Sequence, residues 1–264
     1  MTTLNDPPHL LDLYRLAVQH PLAEVAFVEH VWAHDHGEDS EPMLLREDFA
    51  GTCAVAHAWV RSDPDRQAMA IELDEPTAAW AAKRFEDDDL HIVEADVMAV
   101  DEPAVDVTLA LNFSVMIYHS EAALLHYLAH ALAGLHAGGL LILDVFGGQG
   151  VEESSVQSRR IEPDEGGFSA FTYHWEQRGR DVVTGRIDCR IHFELDDGPR
   201  LDDAFVYDWR LWSPGQIIDL ARQAGFADAS LWWSDPTEPG RHAPVQEVPG
   251  DQDWVGYVVC RAPQ

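Results

Sequence analysis

The residues with the clearest chemical potential form a short acidic turn near position 50. The apolar pair Leu44–Leu45 leads into a segment that contains, in order, Arg46, Glu47, Asp48, Phe49, Ala50, Gly51 and Thr52. A second apolar run ends at Glu72, Leu73 and Asp74. Backbone N–H groups at the start of a helix can face a bound ligand, and an acid at the next strand end can accept both hydroxyl protons of a ribose. This layout is typical of a nucleotide-type cofactor site.

The acids in the turn favour a cationic ligand over a pyrophosphate. Dinucleotide-binding folds use a Gly-x-Gly-x-x-Gly turn, whereas this turn has only Gly51. Glu47 and Asp48 would repel a phosphate group and attract a positive charge.

This segment resembles the first motif of the class I S-adenosylmethionine-dependent methyltransferases, which is usually an acid followed by Gly-x-Gly-x-Gly. Glu47 matches the acid and Gly51 the middle glycine, whereas Phe49 and Cys53 stand where the family usually has glycine. The donor carries an ammonium and a sulfonium, which suit acids at this place. The two departures predict that the methionine end of the donor lies differently from the family norm.

The resemblance continues along the chain, over roughly residues 40 to 146 and again over 208 to 262. Glu72 matches the ribose-binding acid, and Asp74 is a second candidate on the same side of an extended chain. Asp96, followed by Val97, matches the acid that meets the adenine amino group. The segment 109–114, with Asn112 and Phe113, matches the fourth strand and its active-site end, and 136–144 matches the turn and fifth strand.

Alternating apolar segments predict an α/β fold. Strands near 43–48, 67–72, 90–94, 105–112 and 138–146 alternate with helices at 52–62, 75–86 and 120–136, after two helices near 7–20 and 22–36. Such alternation indicates a parallel sheet with helices on both faces, in which ligands bind beyond the carboxyl ends of the strands. With two last strands near 231–233 and 254–260, we expect a Rossmann-like, seven-stranded, mostly parallel sheet.

The pattern changes after Gly150. Aromatic and β-branched residues dominate 168–175, 181–195 and 204–212, and turn signals occur at Gly179, Gly185 and Asp197–Gly198. This pattern predicts an inserted antiparallel β meander. A helix then begins at Ser213–Pro214, and 235–253 is expected to be a surface loop. The expected domains are a helical cap (1–40), the core (41–150 and 208–264) and the meander (151–207).

Insertions at this place resemble those that cover the substrate in small-molecule methyltransferases of the glycine N-methyltransferase type. Aromatic faces can hold a cationic nitrogen, so the residues expected to line such a lid, near Asn112 and Tyr118, are Tyr173, Trp175, Trp209, Arg210 and Trp212. The alternatives are that these aromatic residues pack the core of the meander, or that the insertion pairs two subunits as a homodimer.

Methyl transfer needs alignment, and an oxygen or nitrogen acceptor needs to lose a proton. Tyr118 and His119, just beyond the fourth strand, are the nearest candidate bases, with Asn112 beside them. Tyr14 and Gln19 lie on an N-terminal helix that is expected to fold over the methionine end of the donor. Arg46 is expected to meet the donor carboxylate. Each of these residues has an equally simple structural interpretation.

Composition excludes several other functions. The net charge is −30, from 47 acidic and 17 basic residues, and such a surface repels nucleic acid and anionic lipid. The three cysteines are far apart, and the histidine pairs His34/His36 and His126/His130 lack an evident third ligand, so we predict no disulfide and no metal site. The chain has no long apolar run and no signal pattern at its first residues, which predicts a cytoplasmic protein.

The sequence therefore predicts a methyltransferase that uses S-adenosylmethionine, releases S-adenosylhomocysteine, and methylates a small molecule at nitrogen or oxygen. A Rossmann-type NAD(P)-dependent oxidoreductase is the alternative enzyme, disfavoured by the missing glycines. A non-catalytic cofactor-binding or dimerisation module is the alternative outside enzymes.

Overall fold

The computed structural model describes residues 8–101, 103–162, 169–196, 198–234, 241–248 and 253–264. The helices are α1 (Leu10–Val18), α2 (Pro21–His36), α3 (Ala54–Ser62), α4 (Glu75–Arg84), α5 (Glu121–Ala133) and α6 (Pro214–Ala224). The strands are β1 (Leu44–Asp48), β2 (Gln67–Glu72), β3 (Leu90–Glu94), β4 (Val105–Ala110), β5 (Leu135–Gly147), β6 (Ser154–Ile161), β7 (Phe171–Arg178), β8 (Arg186–Leu195), β9 (Arg200–Arg210), β10 (Asp228–Ser234), β11 (His242–Val245) and β12 (Trp254–Arg261).

The chain divides into two compact units. The sheet unit comprises 20–146, 212–249 and 254–264, and the meander unit comprises 1–19, 147–211 and 250–253. The helices α1 and α2 belong to different units, so the segment 1–40, expected to be one helical cap, is divided between them. Residues 1–7 of that cap lie outside the described residues.

The sheet unit has eight strands in the order β11-β10-β12-β5-β4-β1-β2-β3. The strands β1 to β5 pair in parallel, and β10 is antiparallel to both β11 and β12. The expected Rossmann-like α/β fold is confirmed, with one strand more than the seven predicted. The extra strand, β11, falls within the predicted loop 235–253, of which 235–240 and 249–252 lie outside the described residues.

Helices α2 and α3 pack their apolar side chains on the sheet. The buried cluster they form includes Val28, Val31 and Trp59 with Val107 and Ile142 of the central strands. Burial of such residues from water is the main stabilising contribution to this unit. The strands β1, β2 and β4 run parallel to one another. The side chains at their carboxyl ends therefore lie at the same edge of the sheet.

The meander unit is a four-stranded antiparallel sheet in the order β6-β7-β8-β9. Helix α1 packs on it through Leu13 and Ala17, which contact a cluster with Phe171, Ile191 and Phe193. The antiparallel insertion is confirmed, but β6 was not predicted, because the side chains of Ser154–Ile161 are almost all exposed and give no apolar pattern. The predicted strand start at Phe168 and the turn residue Asp197 lie outside the described residues.

Candidate functional site

The turn between β1 and α3 keeps a backbone shape that usually needs glycine. Phe49, Gly51 and Cys53 have φ values of 55°, 53° and 57°. Left-handed conformations of this kind cost non-glycine residues roughly 1–2 kcal/mol each. Phe49 and Cys53 stand where the family motif usually has glycine, and both adopt the left-handed conformation that glycine adopts at the lowest cost.

A second strained turn follows β4. Asn112 and Phe113 have φ values of 58° and 61°, and their N–H groups donate to the Asp144 carboxylate at 3.0 and 2.7 Å. In the described ranges, four of the five non-glycine residues with positive φ lie in these two turns. Strain of this kind concentrates at functional sites, which supports the carboxyl edge of the sheet as the site.

Glu72 ties the first turn to the end of β2. Its carboxylate accepts hydrogen bonds from the N–H groups of Gly51 at 2.7 Å and Asp74 at 2.8 Å. Glu72 is half-buried, and the neighbouring Leu73 is 68% exposed. Asp74, the second candidate, instead caps α4 by accepting from the N–H and the hydroxyl of Thr77. Glu72, and not Asp74, is therefore the acid that contacts the turn.

Asp96 occupies the end of the next strand. Its side chain is exposed and accepts a hydrogen bond from the Met98 N–H at 2.9 Å, which caps a short 3-10 turn over Val97–Ala99. Val97 is buried beneath it. The parallel strands therefore present Asp96, Glu72 and Glu47 at one edge of the sheet, as the sequence predicts.

Glu47 is buried and has no basic side chain as a hydrogen-bond partner among the described residues. It is 2% exposed and accepts a hydrogen bond from the Ala56 N–H at 2.8 Å. Burial raises the pKa of Glu47 to about 8, and the negative charges of Glu24 and Glu72 raise it further against the lowering effect of the Ala56 bond. A positively charged ligand near Glu47 would favour its ionised form and so lower its pKa.

Sequence reasoning missed two further buried acids, Glu24, whose charge acts on Glu47, and Asp144, on which the charge of Glu24 also acts. Burial raises the pKa of Glu24 on α2 to about 7, although the Tyr257 hydroxyl donates to both its oxygens at 3.1 and 3.2 Å. Burial also raises the pKa of Asp144 to about 7, and the charge of Glu24 contributes. We call Glu24, Glu47 and Asp144 the carboxylate cluster. The available signal was Glu24 itself, an acid on the same helix face as the apolar Val28 and Val31.

On the opposite face of β1, Arg46 and Asp48 form a buried ion pair. Arg46 Nε donates to Asp48 at 2.6 Å, and its other nitrogens donate to the carbonyl groups of Val100 at 2.7 Å and Val97 at 2.9 Å. Tyr127 donates its hydroxyl to Asp48 at 3.0 Å. Contact between Arg46 and a donor carboxylate stays a prediction, and it would require this buried guanidinium to exchange a partner.

Tyr118 belongs to an aromatic group next to this ion pair. Its ring centroid lies 5.2 Å from that of Tyr127, nearly parallel, and 6.3 Å from that of Phe49. Burial raises the pKa of Tyr118 well above its usual range, and the negative charges of Asp48 and Asp96 add to this effect. These shifts disfavour Tyr118 as a base. His119 is exposed, and its catalytic role stays a prediction.

Of the remaining predicted residues, Trp212 lies in the sheet unit, where it is buried and donates its indole N–H to the Tyr118 carbonyl at 3.0 Å, and the others lie in the meander unit. Trp209 is 3% exposed and stacks on Tyr207, with ring centroids 4.3 Å apart, and Trp175 lies 6.0 Å from Trp209. Tyr14 packs on Phe205 at 4.9 Å, and Gln19 is buried at the end of α1. Tyr173 and Arg210 are half-buried. The structure thus brings Tyr14, Trp175 and Trp209 into one aromatic group, and its contact with a ligand stays a prediction.

Two cavities occur away from the candidate site. One of about 660 Å³ is bordered by residues of the 82–92 segment, and one of about 210 Å³ lies near Leu44, Gln67 and Val105 at the start of the parallel strands. Across the described residues, no three His, Cys, Asp or Glu side chains are grouped as a metal site. None of the described helices is long and apolar enough to cross a membrane.

Solved structures resemble this chain over nearly its whole length. An S-adenosylmethionine-dependent methyltransferase from Clostridium acetobutylicum matches 96% of this chain and 97% of its own, with a TM-score of 0.69 and 14% identity. CalS10, an amino pentose methyltransferase from Micromonospora echinaspora, matches 97% and 98%, with a TM-score of 0.69 and 16% identity.

The sugar N-methyltransferase KedS8 from a Streptoalloteichus species matches 100% of this chain and 97% of its own, with a TM-score of 0.67 and 17% identity. No family model matches the sequence, and no curated protein matches it. The chain therefore has the fold of the S-adenosylmethionine-dependent methyltransferases, with a four-stranded antiparallel insertion.

Proposed function

We propose that this protein is a methyltransferase that binds S-adenosylmethionine at the carboxyl edge of the sheet unit and methylates a small molecule. The observation that carries the proposal is the pairing of Glu72 with Gly51, which holds a half-buried carboxylate against a strained turn. A carboxylate with two oxygens keeps acceptor capacity after two N–H bonds, so Glu72 can also bind vicinal hydroxyl groups of a ribose.

The charge of the site fits the donor. The described hydrogen bonds to the carboxylate cluster come from backbone N–H groups and from the Tyr257 hydroxyl, and none comes from a lysine or arginine. Burying carboxylates without a cation is costly, so a ligand with an ammonium and a sulfonium would stabilise their charged forms. When bound, the donor supplies a methyl group on a positively charged sulfur leaving group, and the protein aligns the acceptor and excludes water.

We propose a nitrogen acceptor over an oxygen acceptor. The similar structures include an amino pentose methyltransferase, a sugar N-methyltransferase and a glycopeptide N-methyltransferase, at low identity. An acidic protein with aromatic side chains in its insertion suits a cationic small molecule. Tyr173, Trp175, Trp209 and Arg210 remain the proposed acceptor contacts. A cytoplasmic location and a homodimer through the meander also remain proposals.

Screening for methyl transfer tests the proposal. Labelled S-adenosylmethionine would be incubated with amino sugars, other amines, phenols and carboxylic acids, and formation of labelled product and S-adenosylhomocysteine would be measured. We expect turnover with an amine, and reduced turnover for Glu72→Gln at limiting donor. Glu94→Gln is the matched control, because Glu94 is an exposed acid paired with Glu72 on the next strand.

Two outcomes would contradict the proposal. Reduction or oxidation of a substrate with NADH or NAD, without binding of S-adenosylhomocysteine, would favour the oxidoreductase. Tight donor binding without transfer to any acceptor class would favour a non-catalytic module.

A further inference from the structure

His192 lies at an interruption in the pairing of β8 with β9. The register shifts at this point, so His192 alone stands opposite the three residues 202–204 of β9. In the middle of this bulge, Asp203 has a φ of 51°, a left-handed conformation that is costly for a residue other than glycine. The bulge therefore needs a contact that holds it.

The His192 ring supplies that contact and is bonded through both of its nitrogens. His192 is 5% exposed. Its Nδ1 accepts a hydrogen bond from the Asp203 N–H at 2.9 Å, and its Nε2 lies 3.0 Å from a Glu176 carboxylate oxygen. Because a backbone N–H donates only to an unprotonated ring nitrogen, Nδ1 carries no proton here and Nε2–H donates to Glu176. This arrangement requires the neutral ring.

Carboxylates around the ring would stabilise its charged form instead. Oxygens of Asp202 and Asp203 lie 3.6 and 3.8 Å from Nδ1. On the other side, the Arg178 guanidinium donates to Glu176 and holds the pKa of Glu176 below its usual range, so this acid is ionised beside Nε2. Negative charges favour a protonated imidazole, whereas burial and the Asp203 N–H favour a neutral one.

The other charged or titratable groups around the ring come from all three strands: Arg190 and Glu194 on β8, Arg200 on β9 and His174 on β7. Arg190 donates to the Asp203 carboxylate at 2.7 Å, and Arg200 donates to the Asp202 carboxylate at 2.7 Å. Both carboxylates are therefore held next to the ring.

We infer that His192 and the Asp203 N–H form a proton-operated latch on β9. In the neutral state, Nδ1 accepts from the Asp203 N–H and holds the bulge in its left-handed conformation. When a proton from solvent binds to Nδ1, this nitrogen can no longer accept a hydrogen bond. The Asp203 N–H is then released, and the new Nδ1–H donates to the carboxylate of Asp202 or Asp203.

The latch links proton binding to the aromatic side of the same strand. Beyond the bulge, β9 carries Phe205, whose ring lies 4.9 Å from that of Tyr14, and Tyr207, which stacks on Trp209 at 4.3 Å. Release of the bulge loosens the backbone that positions these rings. The inference does not depend on the proposed function, because the latch lies within the meander unit and uses no ligand.

NMR of the isotopically labelled full-length protein would test the latch between about pH 5 and pH 8, the range in which histidine ordinarily titrates. The shifts of the ring nitrogens report which of them carries a proton. Hydrogen exchange of the Asp203 amide, relative to an unstructured chain at the same pH, reports whether its N–H is bonded.

Three variants complete the test, with thermal unfolding as the check of folding. His192→Asn has an amide oxygen that accepts an N–H without titrating, and His192→Ala has no acceptor. His174→Asn is the matched control, because His174 is a buried histidine paired with His192 on the next strand and bonded to Ser158.

At the high end of this range, we expect wild-type His192 to have a proton on Nε2 and none on Nδ1. Towards the low end, protection of the Asp203 amide should fall by about 3- to 10-fold, with the same midpoint as the ring, because one hydrogen bond is lost. Protection should stay constant in His192→Asn and be low throughout in His192→Ala. His174→Asn should behave like wild type.

Other results would overturn the inference. A His192 ring that keeps one protonation state throughout, or that carries its proton on Nδ1 when neutral, would exclude the latch. Constant protection of the Asp203 amide while the ring titrates would separate the two events. Wild-type protein alone decides these points. An unchanged pH dependence in folded His192→Asn would assign the effect to another group.

Discussion

Glu47 and Asp48 are adjacent buried carboxylates on β1, but their side chains point to opposite faces of the sheet. Their hydrogen-bond donors also differ: a charged side chain for Asp48 and a backbone N–H for Glu47. Asp48 has an arginine and a tyrosine hydroxyl within hydrogen-bond distance. Glu47 has a backbone N–H and lies near other acids. Successive side chains of a strand point to opposite faces of the sheet, so two adjacent residues have different surroundings.

The difference assigns different tasks to the two acids. Asp48 has a positively charged partner within the protein, Arg46, although burial still raises the pKa of Asp48 above its usual value. On the Glu47 side, burial raises the pKa values of Glu47, Glu24 and Asp144, and a cation bound beside these acids would lower them. Changes at each acid should therefore be separable into stability and ligand effects.

The largest effect is expected at Asp48. Asp48→Ala leaves the Arg46 guanidinium buried without its charge partner, which should cost about 3–5 kcal/mol of unfolding free energy. Urea denaturation measures this loss. The paired variant Arg46→Met with Asp48→Leu should be more stable than Asp48→Ala, because it removes both charges. Equal destabilisation of the two variants would show that volume, and not the unpaired charge, is decisive.

A smaller loss of stability is expected for Tyr127→Phe. The substitution keeps the ring beside Tyr118 and removes one hydrogen bond to the Asp48 carboxylate, a bond worth about 1.5–3 kcal/mol. Urea denaturation of Tyr127→Phe beside wild type measures this effect. A loss as large as that of Asp48→Ala would contradict the assignment of Arg46 as the main partner of Asp48.

Glu47→Gln is expected to have the smallest effect on stability near pH 6. The pKa of Glu47 is about 8 when folded and near its ordinary value of 4.5 when unfolded, so the folded state binds more protons between these values. The stability that protonated Glu47 contributes to the folded state is fully present below about pH 4.5 and is lost as the pH rises through about 8. The amide of the variant accepts the Ala56 bond without titrating, so the expected change at pH 6 is under about 1 kcal/mol.

Wild type should therefore lose stability relative to Glu47→Gln between pH 6 and pH 9. Urea denaturation of both proteins at several pH values measures the difference. A difference that stays constant across this range would show that Glu47 is ionised in the folded protein.

Much of the sheet unit is predictable from the sequence, because short apolar segments alternate with helical patterns along it. The strands β2 and β3 were predicted with the observed bounds, and the acids at the strand ends follow from parallel topology. Strand β11 was missed because it is short and contains Pro244, and β6 because it is an exposed edge strand.

The pKa values and side-chain contacts of the site residues were harder to predict from the sequence. The pKa of Glu24 is raised by burial, and the hydrogen bond that opposes this effect comes from Tyr257 on β12, at the other end of the chain. The pairing of Arg46 with Asp48 was within reach, because residues two apart on a strand share a face. The ring contacts of Tyr118 depend on α5 packing beneath the turn, and no local pattern predicts them.

Calorimetric titration of wild type and Glu72→Gln with S-adenosylhomocysteine tests the central claim most directly. If the Glu72 carboxylate binds the ribose, wild type should bind and the variant should lose about 1–3 kcal/mol of binding free energy, with its fold intact by thermal unfolding. NADH should produce no heat of binding with wild type. Binding of NADH alone, or equal affinity of both proteins for S-adenosylhomocysteine, would contradict the assignment of this strand edge as the donor site.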